Sequence, residues 1–433
     1  MTEKIDVYLY GAQAATLEYL GPSDYKLSYL REWQEVGAVP LSLSLPLTRK
    51  DHTGRVVSDF IDNLLPDSAA LREEWARQSG LPDAEAFGLL SVHGADVAGA
   101  LEFYPAGEVA RSGGLMRPVS DSEIALRIRA IRENRPIPVP ETGPGQFSLG
   151  GAQSKFALAY REGQWFDPTG ASPSTHIFKP QVAGLVDGEI VEHITMTALP
   201  ILGLPAAVTA MAEFGGEHTL QIDRFDRFDS DGSVFRIHQE DLSQALGVPR
   251  LKKYERDGGP AYRQILGILD RIPDPDVALA AKDRFVRSLV FSWFALNTDA
   301  HAKNFSLRLL PDLVDLAPLY DVSTFLPYVV PHDEGERGVL RAFDQTRLSM
   351  RVADSFESGS MGAFEWRAVA RDARLNPQSI IEWALEVAEI APSVFDAVAD
   401  SLEAQYQTEV VELLLERVVL RAQQVGRLLA PKL

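Results

Sequence analysis

The sequence predicts an α+β fold in two lobes, in which a strand-rich part comes first and a mostly helical part follows. Short segments that alternate or are rich in strand-forming residues recur along the chain up to about residue 258. Helical spacing of apolar residues dominates from about Pro260 onward. The strands precede the helices instead of alternating with them, which argues against a doubly wound parallel sheet.

The first hundred residues predict short strands joined by loops and interrupted by helix. Strands are expected in KIDVYLYG, AATLEYLG and PLSLSLPL, which are bounded by Gly or Pro. Helix is expected in VVSDFIDNLLPDSAALREEWARQSG, with a break at Pro66 and an end at Gly80. AFGLLSVHGADVAGALEFYP then predicts a helix followed by a strand.

The central part begins with a segment dense in Pro and Gly, IRENRPIPVPETGPGQ at 131–146, which predicts a linker. After it, a hairpin is expected in SKFALAYREGQWFDP, a strand in THIFKP, a helix in GEIVEHITMTALPILG, and strands in EHTLQIDRFDRF and SVFRIHQED. A strand pair around Phe305–Asp321 interrupts the helical remainder. The predicted boundaries are an amino-terminal subdomain over 1–110, a connecting segment over 111–146, the rest of the strand-rich lobe over 147–258 and a helical lobe over 259–433.

Composition excludes several classes of protein. The 433 residues, 45% of them hydrophobic, suffice for a large core, and the absence of cysteine excludes disulfides and thiolate metal sites. The 42 Lys and Arg against 61 Asp and Glu give a net charge of −19, which argues against broad binding to nucleic-acid phosphates by this chain alone. The start MTEKIDVYLY lacks the pattern of a secretion signal and no apolar run could span a bilayer, so a cytoplasmic location is expected.

A cluster of polar residues follows an apolar helix near residue 300. In DRFVRSLVFSWFALN the large apolar residues fall at helical spacing, and the chain then turns polar in NTDAHAKN. Asp299 and Asn304 have the D-x-x-x-x-N spacing of a kinase catalytic loop, in which the Asp accepts the proton of the substrate hydroxyl and the Asn holds Mg²⁺. By itself such a group is as often a solvated helix cap, so the hypothesis needs further parts.

Further parts of a phosphoryl-transfer site follow the expected order along the chain. Asp321 in LAPLYDVST follows an apolar segment and supplies a second oxygen ligand for Mg²⁺, although Val-Ser replaces the Phe-Gly of the kinase motif. Lys179 ends the predicted strand THIFKP and is suited to bind nucleotide phosphates, and Glu192 in the next helix could hold it by an ion pair. Four parts in this order outweigh the helix-cap interpretation.

A glycine-rich segment, GPGQFSLGGAQSKFAL, lies ahead of these strands. Gly143, Gly145, Gly150 and Gly151 would let backbone N–H groups approach an anion closely. The segment is not a Walker A loop, because Gly151 stands where that motif has Lys, and it is not a regular G-x-G-x-x-G.

Other functions are compatible with parts of this pattern. His301 could ligate a metal in a hydrolase, but no second histidine pair has ligand spacing, and no G-x-S-x-G is present for a serine hydrolase. A small-molecule phosphotransferase of the aminoglycoside- or lipid-kinase type shares the base, the Asn and the Asp and stays open as an alternative. A pseudokinase that acts only as a co-repressor is a third hypothesis, which the presence of all four polar residues disfavours.

A larger set of motifs resembles a known family. The segments FSLGGAQSKFAL, HIFKP, DRFDR, HQEDLSQALG, KYERDGGPAY, NTDAHAKNFSL and LAPLYDVST, with PLSLSLPL, FIDNLLPDS and VHGADVAGALEFYP, are similar to the HipA family of serine/threonine kinase toxins from bacterial toxin–antitoxin modules. The resemblance covers nearly the whole chain. It implies a two-lobed protein-kinase-like fold, with an added amino-terminal subdomain, that uses ATP and Mg²⁺ to phosphorylate a protein, namely an aminoacyl-tRNA synthetase such as the glutamyl or tryptophanyl enzyme.

The resemblance also implies roles for individual residues. Asp299 would be the catalytic base, and Mg²⁺ would be bound by Asn304 and Asp321. ATP would be contacted by Lys179, His301 and Lys303. The phosphate-binding loop would consist of Gly150, Gly151, Ala152, Gln153, Ser154 and Lys155, and Ser148 would be autophosphorylated. Asp223 and Phe225 would lie in the adenine-binding hinge, where Asp223 replaces a longer glutamate. Lys303 could instead face solvent. Phosphorylation of Ser148 would add about −1.5 to −2 charge to the loop that binds phosphates, so we expect it to switch the enzyme off.

The family resemblance implies a partner as well. That partner is a HipB-like helix-turn-helix antitoxin, which would bind operator DNA and form a 2:2 complex with the kinase. The acidic charge of this chain agrees with such a division, because the antitoxin would supply most of the phosphate contacts.

Overall fold

The structure is a computed structural model, which describes residues 3–35, 39–108, 114–137, 153–170, 172–182, 184–331 and 333–430. The strands in chain order are β1 (Lys4–Leu9), β2 (Ala12–Gly21), β3 (Asp24–Tyr29), β4 (Asp51–Thr53), β5 (Leu101–Pro105), β6 (Met116–Pro118), β7 (Phe156–Arg161), β8 (Gln164–Pro168), β9 (His176–Lys179), β10 (Thr209–Phe214), β11 (Glu217–Asp223), β12 (Arg227–Ser230), β13 (Ser233–Arg236), β14 (Gln239–Asp241), β15 (Ser306–Leu310), β16 (Leu313–Leu316), β17 (Arg347–Val352) and β18 (Ser355–Glu357).

The α-helices in chain order are α1 (Arg31–Glu35), α2 (Arg55–Asn63), α3 (Ala69–Gln78), α4 (Ala86–His93), α5 (Asp121–Arg132), α6 (Gly188–Ile201), α7 (Leu242–Ala245), α8 (Tyr262–Leu269), α9 (Pro275–Phe294), α10 (Glu336–Gln345), α11 (Ala363–Asp372), α12 (Pro377–Asp400) and α13 (Glu409–Leu429). Short 3-10 helices lie at Arg250–Lys252, Glu255–Asp257, Ala302–Asn304, Leu326–Tyr328, Ser358–Ser360 and Ala404–Tyr406.

Two compact units are built from discontinuous parts of the chain. The strand-rich unit comprises Met1–Val182, Ala212–Lys253 and Ser306–Ala317, and the helical unit comprises Ala183–Met211, Tyr254–Phe305 and Pro318–Leu433. The chain passes from one unit to the other several times. Units of this kind do not test the linear domain boundaries expected from the sequence, which stay a prediction.

Within the described residues, the strand-rich unit contains two larger sheets and two small ones. A five-stranded sheet has the order β4-β3-β2-β1-β5, and a six-stranded sheet has the order β10-β11-β9-β7-β8-β6. β9 is an interior strand of the second sheet, and it pairs antiparallel with both β7 and β11. The smaller sheets are β12-β13 and β14-β15-β16.

Helix α5 covers one face of the six-stranded sheet, although it lies inside the segment expected to be a connection. It begins with a capping box, in which Ser120 and Glu123 each bond the backbone of the other. Its buried apolar residues share a core with the sheet and its surroundings, formed by Val119, Ile124, Ile128, Ile131, Phe156, Leu158, Phe178 and Phe214. This core fixes β7 and β9, the strands that lead to the predicted phosphate-binding residues.

The helical unit carries α6 and α8–α13 around buried aromatic residues. Trp293 of α9 and Trp366 of α11 are both fully buried, with ring centroids 5.6 Å apart. The β17-β18 ribbon belongs to this unit, and the sequence interpretation missed it although RLSMRV alternates. Among the described residues, none of the helices has both the length and the apolar character needed to cross a membrane.

One strand prediction was wrong. PLSLSLPL, at 40–47, forms turns and not a strand. Pro40 and Pro46 have no backbone N–H for a sheet ladder. The segment instead bonds one buried carboxylate, because Ser42 Oγ donates to Glu240 at 2.5 Å and the Leu43 N–H donates to it at 2.8 Å.

Candidate active site

The catalytic-loop residues follow the carboxyl-terminal end of α9. This helix begins at a side-chain cap, since Asp274 accepts from the N–H groups of Asp276 and Val277, and Pro275 occupies the first turn. It ends at Phe294, and Leu296 then takes a positive φ of 50°. A left-handed backbone conformation is uncommon for residues other than glycine. At Leu296 it turns the chain sharply after α9, and the surrounding structure must hold it there.

Buried Arg421 of α13 holds the end of α9 in place. Its guanidinium donates to the carbonyl oxygens of Trp293 at 2.7 Å and Phe294 at 3.2 Å, which are among the carbonyls that a helix end leaves without intrahelical partners. The same group lies 5.1 Å from the Trp293 ring centroid. The sequence interpretation gave α13 no site, but this arginine supports the helix that presents the loop.

Hydrogen bonds within the loop fix its backbone. The Asp299 N–H donates to Asn297 Oδ1 at 3.1 Å, and the His301 N–H donates to the Asp299 carbonyl at 2.8 Å. Asn304 Nδ2 donates to that same carbonyl at 2.9 Å. The loop therefore carries Asp299 and Asn304 in one hydrogen-bonded turn, as their spacing predicts.

The Asp299 side chain is the exposed member of this turn. About 53% of it is accessible to solvent, whereas His301 is 3% exposed. Tyr254 donates its hydroxyl hydrogen to Asp299 Oδ1, and His301 Nε2 lies 3.6 Å from the same oxygen. Oδ2 has no hydrogen-bond partner within the described part of the chain. A carboxylate held on one oxygen and open on the other can accept a proton from a substrate.

The segment that carries Asp321 is bonded to the catalytic loop before this residue and to the carboxyl-terminal end of α9 after it. Tyr320 donates its hydroxyl hydrogen to the Lys303 carbonyl at 2.8 Å, and Thr324 Oγ1 donates to the Ala295 carbonyl at 2.6 Å. Asp321 itself has a φ of 59°, another positive value outside glycine. The fold thus brings the second predicted metal ligand to the loop of the first.

Lys303 belongs to the helical unit and is buried. It is 6% exposed, so the interpretation in which its ammonium faces solvent was wrong. Burial of a lysine requires polar partners, because removing its charge from water is costly. Its role towards ATP stays a prediction.

The oxygen donors of this loop fit Mg²⁺. Because Asn304 uses its amide nitrogen as a donor to Asp299, its Oδ1 is left to act as an acceptor. Among the described residues no group of three or more His, Cys, Asp or Glu could hold a metal ion. A protein cage of that kind is not required, since Mg²⁺ is commonly bound by one or two protein oxygens, water and substrate phosphates.

The predicted phosphate-binding residues lie in the strand-rich unit. Lys179 ends β9, is 4% exposed and pairs in register with Leu220 of β11. Gln153 precedes β7 and donates from Nε2 to the Pro180 carbonyl at 3.2 Å, which joins the loop region to the end of β9. Ser154 and Lys155 are partly buried beside it. Ser148, Gly150, Gly151 and Ala152 lie outside the described residues.

The predicted hinge residues follow β11. Asp223 ends this strand with its side chain 52% exposed, and His176 Nε2 lies 3.2 Å from its Oδ1. Phe225 is partly buried two residues later. Glu192 of α6 belongs to the helical unit and is 6% exposed. Its expected ion pair with Lys179 stays a prediction.

A buried network of charges, which the sequence interpretation missed, fixes the hinge segment. Asp226 accepts from Arg224 Nε and from the Gly99 N–H, at 2.9 and 2.7 Å. Asp96 accepts from Arg227 at 2.8 Å and from Ser174 at 2.6 Å. The alternating acidic and basic residues of DRFDR were the available signal. These bonds join the hinge segment to amino-terminal residues of the same strand-rich unit.

Arginine charges dominate the electrostatics of this network. Burial by itself would raise the pKa of Asp96, but the guanidinium groups of Arg224, Arg227 and Arg236 outweigh it and lower the pKa to about 2. Burial lowers the pKa of Arg227 to about 10. The carboxylates therefore stay ionised at neutral pH.

Comparison with solved structures identifies the fold of the chain. The structure of HipA from Shewanella oneidensis, solved as a complex described as "Toxin Antitoxin System HipA, HipB and its operator DNA complex", matches with a TM-score of 0.79 and 26% identity over 97% of each chain. The predicted α+β fold of the kinase-like class is confirmed.

The chain belongs to the HipA family. The family model described as HipA-like C-terminal domain matches residues 147–395, and the HipA N-terminal domain matches residues 5–104. "Putative kinase Y4mE" of Sinorhizobium fredii is 30% identical, covering 88% of this chain and 87% of that protein. The "Serine/threonine-protein kinase toxin HipA" of Shewanella oneidensis is 29% identical, covering 88% and 89%. Kinase activity is therefore supported at the level of the family.

Proposed function

We propose that this chain is a serine/threonine-protein kinase toxin that transfers the γ-phosphate of ATP to a protein hydroxyl. The hydroxyl oxygen bonds to the γ-phosphorus, the bond from that phosphorus to the β–γ bridging oxygen breaks, and ADP leaves. Asp299 accepts the hydroxyl proton on Oδ2. The hydrogen-bonded turn from Asn297 to Asn304 fixes the backbone that carries this carboxylate, so little backbone reorganisation is needed during the transfer.

Asn304 Oδ1 and the Asp321 carboxylate would hold Mg²⁺. When bound, the ion neutralises the negative charge of the transferring phosphoryl group. The bonds of Tyr320 to the Lys303 carbonyl and of Thr324 to the Ala295 carbonyl support this proposal, because they join the segment of Asp321 to the loop of Asn304 and to the helix before it. His301 and Lys303, both buried, would contact the nucleotide from the same loop.

The strand-rich unit would bind the rest of ATP. Lys179 would pair with the phosphates, the loop residues Gly150, Gly151, Ala152, Gln153, Ser154 and Lys155 would offer backbone N–H groups to them, and Asp223 and Phe225 would meet the adenine. The position of Lys179 at the end of β9 supports this role, because Gln153 of the predicted loop is bonded to the next carbonyl, that of Pro180. Glu192 would orient the lysine.

Family membership supports a proposal for regulation and partners. We propose that Ser148 is autophosphorylated and that the added charge expels the phosphate-binding loop from its active position. A HipB-like helix-turn-helix antitoxin would neutralise the chain in a 2:2 complex on operator DNA, a proposal supported by the HipA–HipB–DNA complex of Shewanella oneidensis. An aminoacyl-tRNA synthetase is the proposed protein substrate.

One observation carries the kinase proposal. Asp299 combines a half-exposed carboxylate with a backbone fixed by three hydrogen bonds, while Asn304 is bonded to its carbonyl in the same turn. A solvated helix cap has no need to bury Asn304, His301 and Lys303 beneath it.

The test is transfer of ³²P from [γ-³²P]ATP with MgCl₂, using the purified chain alone and with a bacterial extract depleted of nucleotides. We expect phosphate on Ser148 and on one or a few extract proteins, identified by mass spectrometry. Asp299→Asn should lower both signals about 10²- to 10⁴-fold, the usual contribution of a general base.

Asp396→Asn is the matched control, since Asp396 is an exposed carboxylate on α12 of the same unit. It should label as the unchanged chain does. Labelling that survives Asp299→Asn would refute the proposed base. Phosphate found only on added aminoglycosides, sugars or lipids would favour the small-molecule phosphotransferase.

A further inference from the structure

We propose that Tyr254 is a positioning residue for catalysis, whose hydroxyl aims the Asp299 carboxylate at the substrate. This inference rests on the proposed kinase function. Tyr254 belongs to the helical unit and is 45 residues away from Asp299 in the sequence, yet its hydroxyl hydrogen is donated to Asp299 Oδ1.

The two oxygens of the Asp299 carboxylate are unequal. Oδ1 takes the Tyr254 hydroxyl and lies 3.6 Å from His301 Nε2, whereas Oδ2 has no bond to any described residue. A half-exposed aspartate without such a bond would rotate among its side-chain conformers. With Oδ1 held, Oδ2 is the oxygen presented to the incoming hydroxyl.

The Tyr254 ring is fixed independently of its hydroxyl. The buried His301 ring meets it edge to face, with centroids 4.8 Å apart and an interplanar angle of 83°. The Arg256 guanidinium lies 4.9 Å from its centroid. Removal of the hydroxyl should therefore leave the ring in place.

The backbone at Tyr254 is fixed as well. Its carbonyl accepts from the N–H groups of Asp257 and Gly259 at 3.0 and 2.9 Å. Gly258 between them has a φ of 85°, which favours glycine at this turn. The KYERDGG segment is thus a compact turn with the tyrosine at its start.

Strand β17 connects this turn to the catalytic loop. Glu255 accepts from both the backbone N–H and Nε of Arg351, each at 2.7 Å. Two residues before Arg351, Ser349 Oγ donates to the Thr298 carbonyl at 2.6 Å, next to Asp299. Tyr254 and Asp299 are therefore carried on segments that one strand ties together, which keeps the hydroxyl and the carboxylate in register.

The test compares Tyr254→Phe with the unchanged chain in the ³²P assay, at a series of ATP concentrations. We expect the maximal rate of incorporation to fall about 10- to 100-fold, the effect of a misaligned catalytic group, with KM for ATP unchanged within twofold. The midpoint of urea unfolding should stay the same. Glu255→Gln, which loosens the connection to β17, should lower the maximal rate in the same direction but by less.

Tyr262→Phe is the matched control, because the Tyr262 hydroxyl also donates to a carboxylate of the helical unit, Asp372, at 2.7 Å. Its rate should match that of the unchanged chain. An unchanged rate in Tyr254→Phe, together with loss in Asp299→Asn, would overturn this inference alone. A faster rate would overturn it too, since the hydroxyl would then compete with the substrate. Activity that survives in Asp299→Asn would instead contradict the proposed function.

Discussion

Carboxylates are placed in opposite environments in the two units of this chain. In the strand-rich unit, Asp96 and Asp226 are each 2% exposed and contact arginine guanidinium groups. In the helical unit, the Asp299 side chain is 53% exposed and contacts a tyrosine hydroxyl. A buried carboxylate matched by arginines fixes the backbone, whereas an open one held on a single oxygen remains available for chemistry.

This difference shows that a charged residue in a family motif is not thereby catalytic. DRFDR and NTDAHAKN both combine acidic and basic residues. Only the environment separates a structural ion network from a proton acceptor, since the cost of burying charge forces the former to be fully paired.

The largest expected effect is the loss of stability on replacing Asp226. Asp226→Asn should lower the free energy of unfolding by about 3–5 kcal/mol, because it leaves buried guanidinium charge without its partner and turns an amide group towards Arg224. The measurement is urea unfolding followed by circular dichroism.

Asp299→Asn is the comparison within the same experiment, and its free energy of unfolding should change by less than about 0.5 kcal/mol, as at an exposed site. Equal stability losses in the two variants would show that the distinction between structural and reactive carboxylates is wrong.

Glu240 is a third kind of carboxylate, because it is buried and no arginine among the described residues contacts it. It is 1% exposed and accepts from Ser42 and Leu43, and burial raises its pKa from 4.5 to about 8. The folded state therefore favours the protonated form. Its contribution to stability is fully present below about pH 4.5 and is lost as pH rises through about 8, with a slope of at most about 1.4 kcal/mol per pH unit.

Glu240→Gln should remove this dependence, since an amide keeps the shape and does not ionise. The measurement is the thermal unfolding midpoint between pH 5 and 9 for both chains. Glu386→Gln, at an exposed position on α12, should retain the slope. A Glu240→Gln variant with the original pH slope would contradict the assignment to Glu240.

The smallest effect concerns Arg421, a buried charge that supports the catalytic helix. Arg421→Met should destabilise the chain by about 1–3 kcal/mol, because the Trp293 and Phe294 carbonyls lose their donor. It should also lower the rate of phosphate transfer at temperatures well below unfolding. Unfolding in urea and the ³²P assay at 20 °C measure the two effects, and Arg427→Met near the end of α13 is the control. Lost stability with a fully retained rate would show that α9 does not need this support.

Much of the fold followed from local pattern. Helices α2 and α3 were predicted with their break at Pro66, and the β7-β8 hairpin, β9, α6 and the β15-β16 pair were predicted where they lie. Each of these elements is marked by the spacing of its own apolar residues or by a Pro or Gly at its end. The 40–47 segment was wrong because its backbone is bonded by Glu240, some two hundred residues away.

For the candidate active site, the sequence alone predicted the residues of the chemistry: Asp299 and Asn304 by their spacing, the later Asp321 and the earlier Lys179. The tertiary structure decided how they are held. Tyr254 on Asp299 and Arg421 on the end of α9 come from segments 45 and 127 residues away. Spacing along a chain records only local geometry, while hydrogen bonds and burial depend on which distant segments the core brings together.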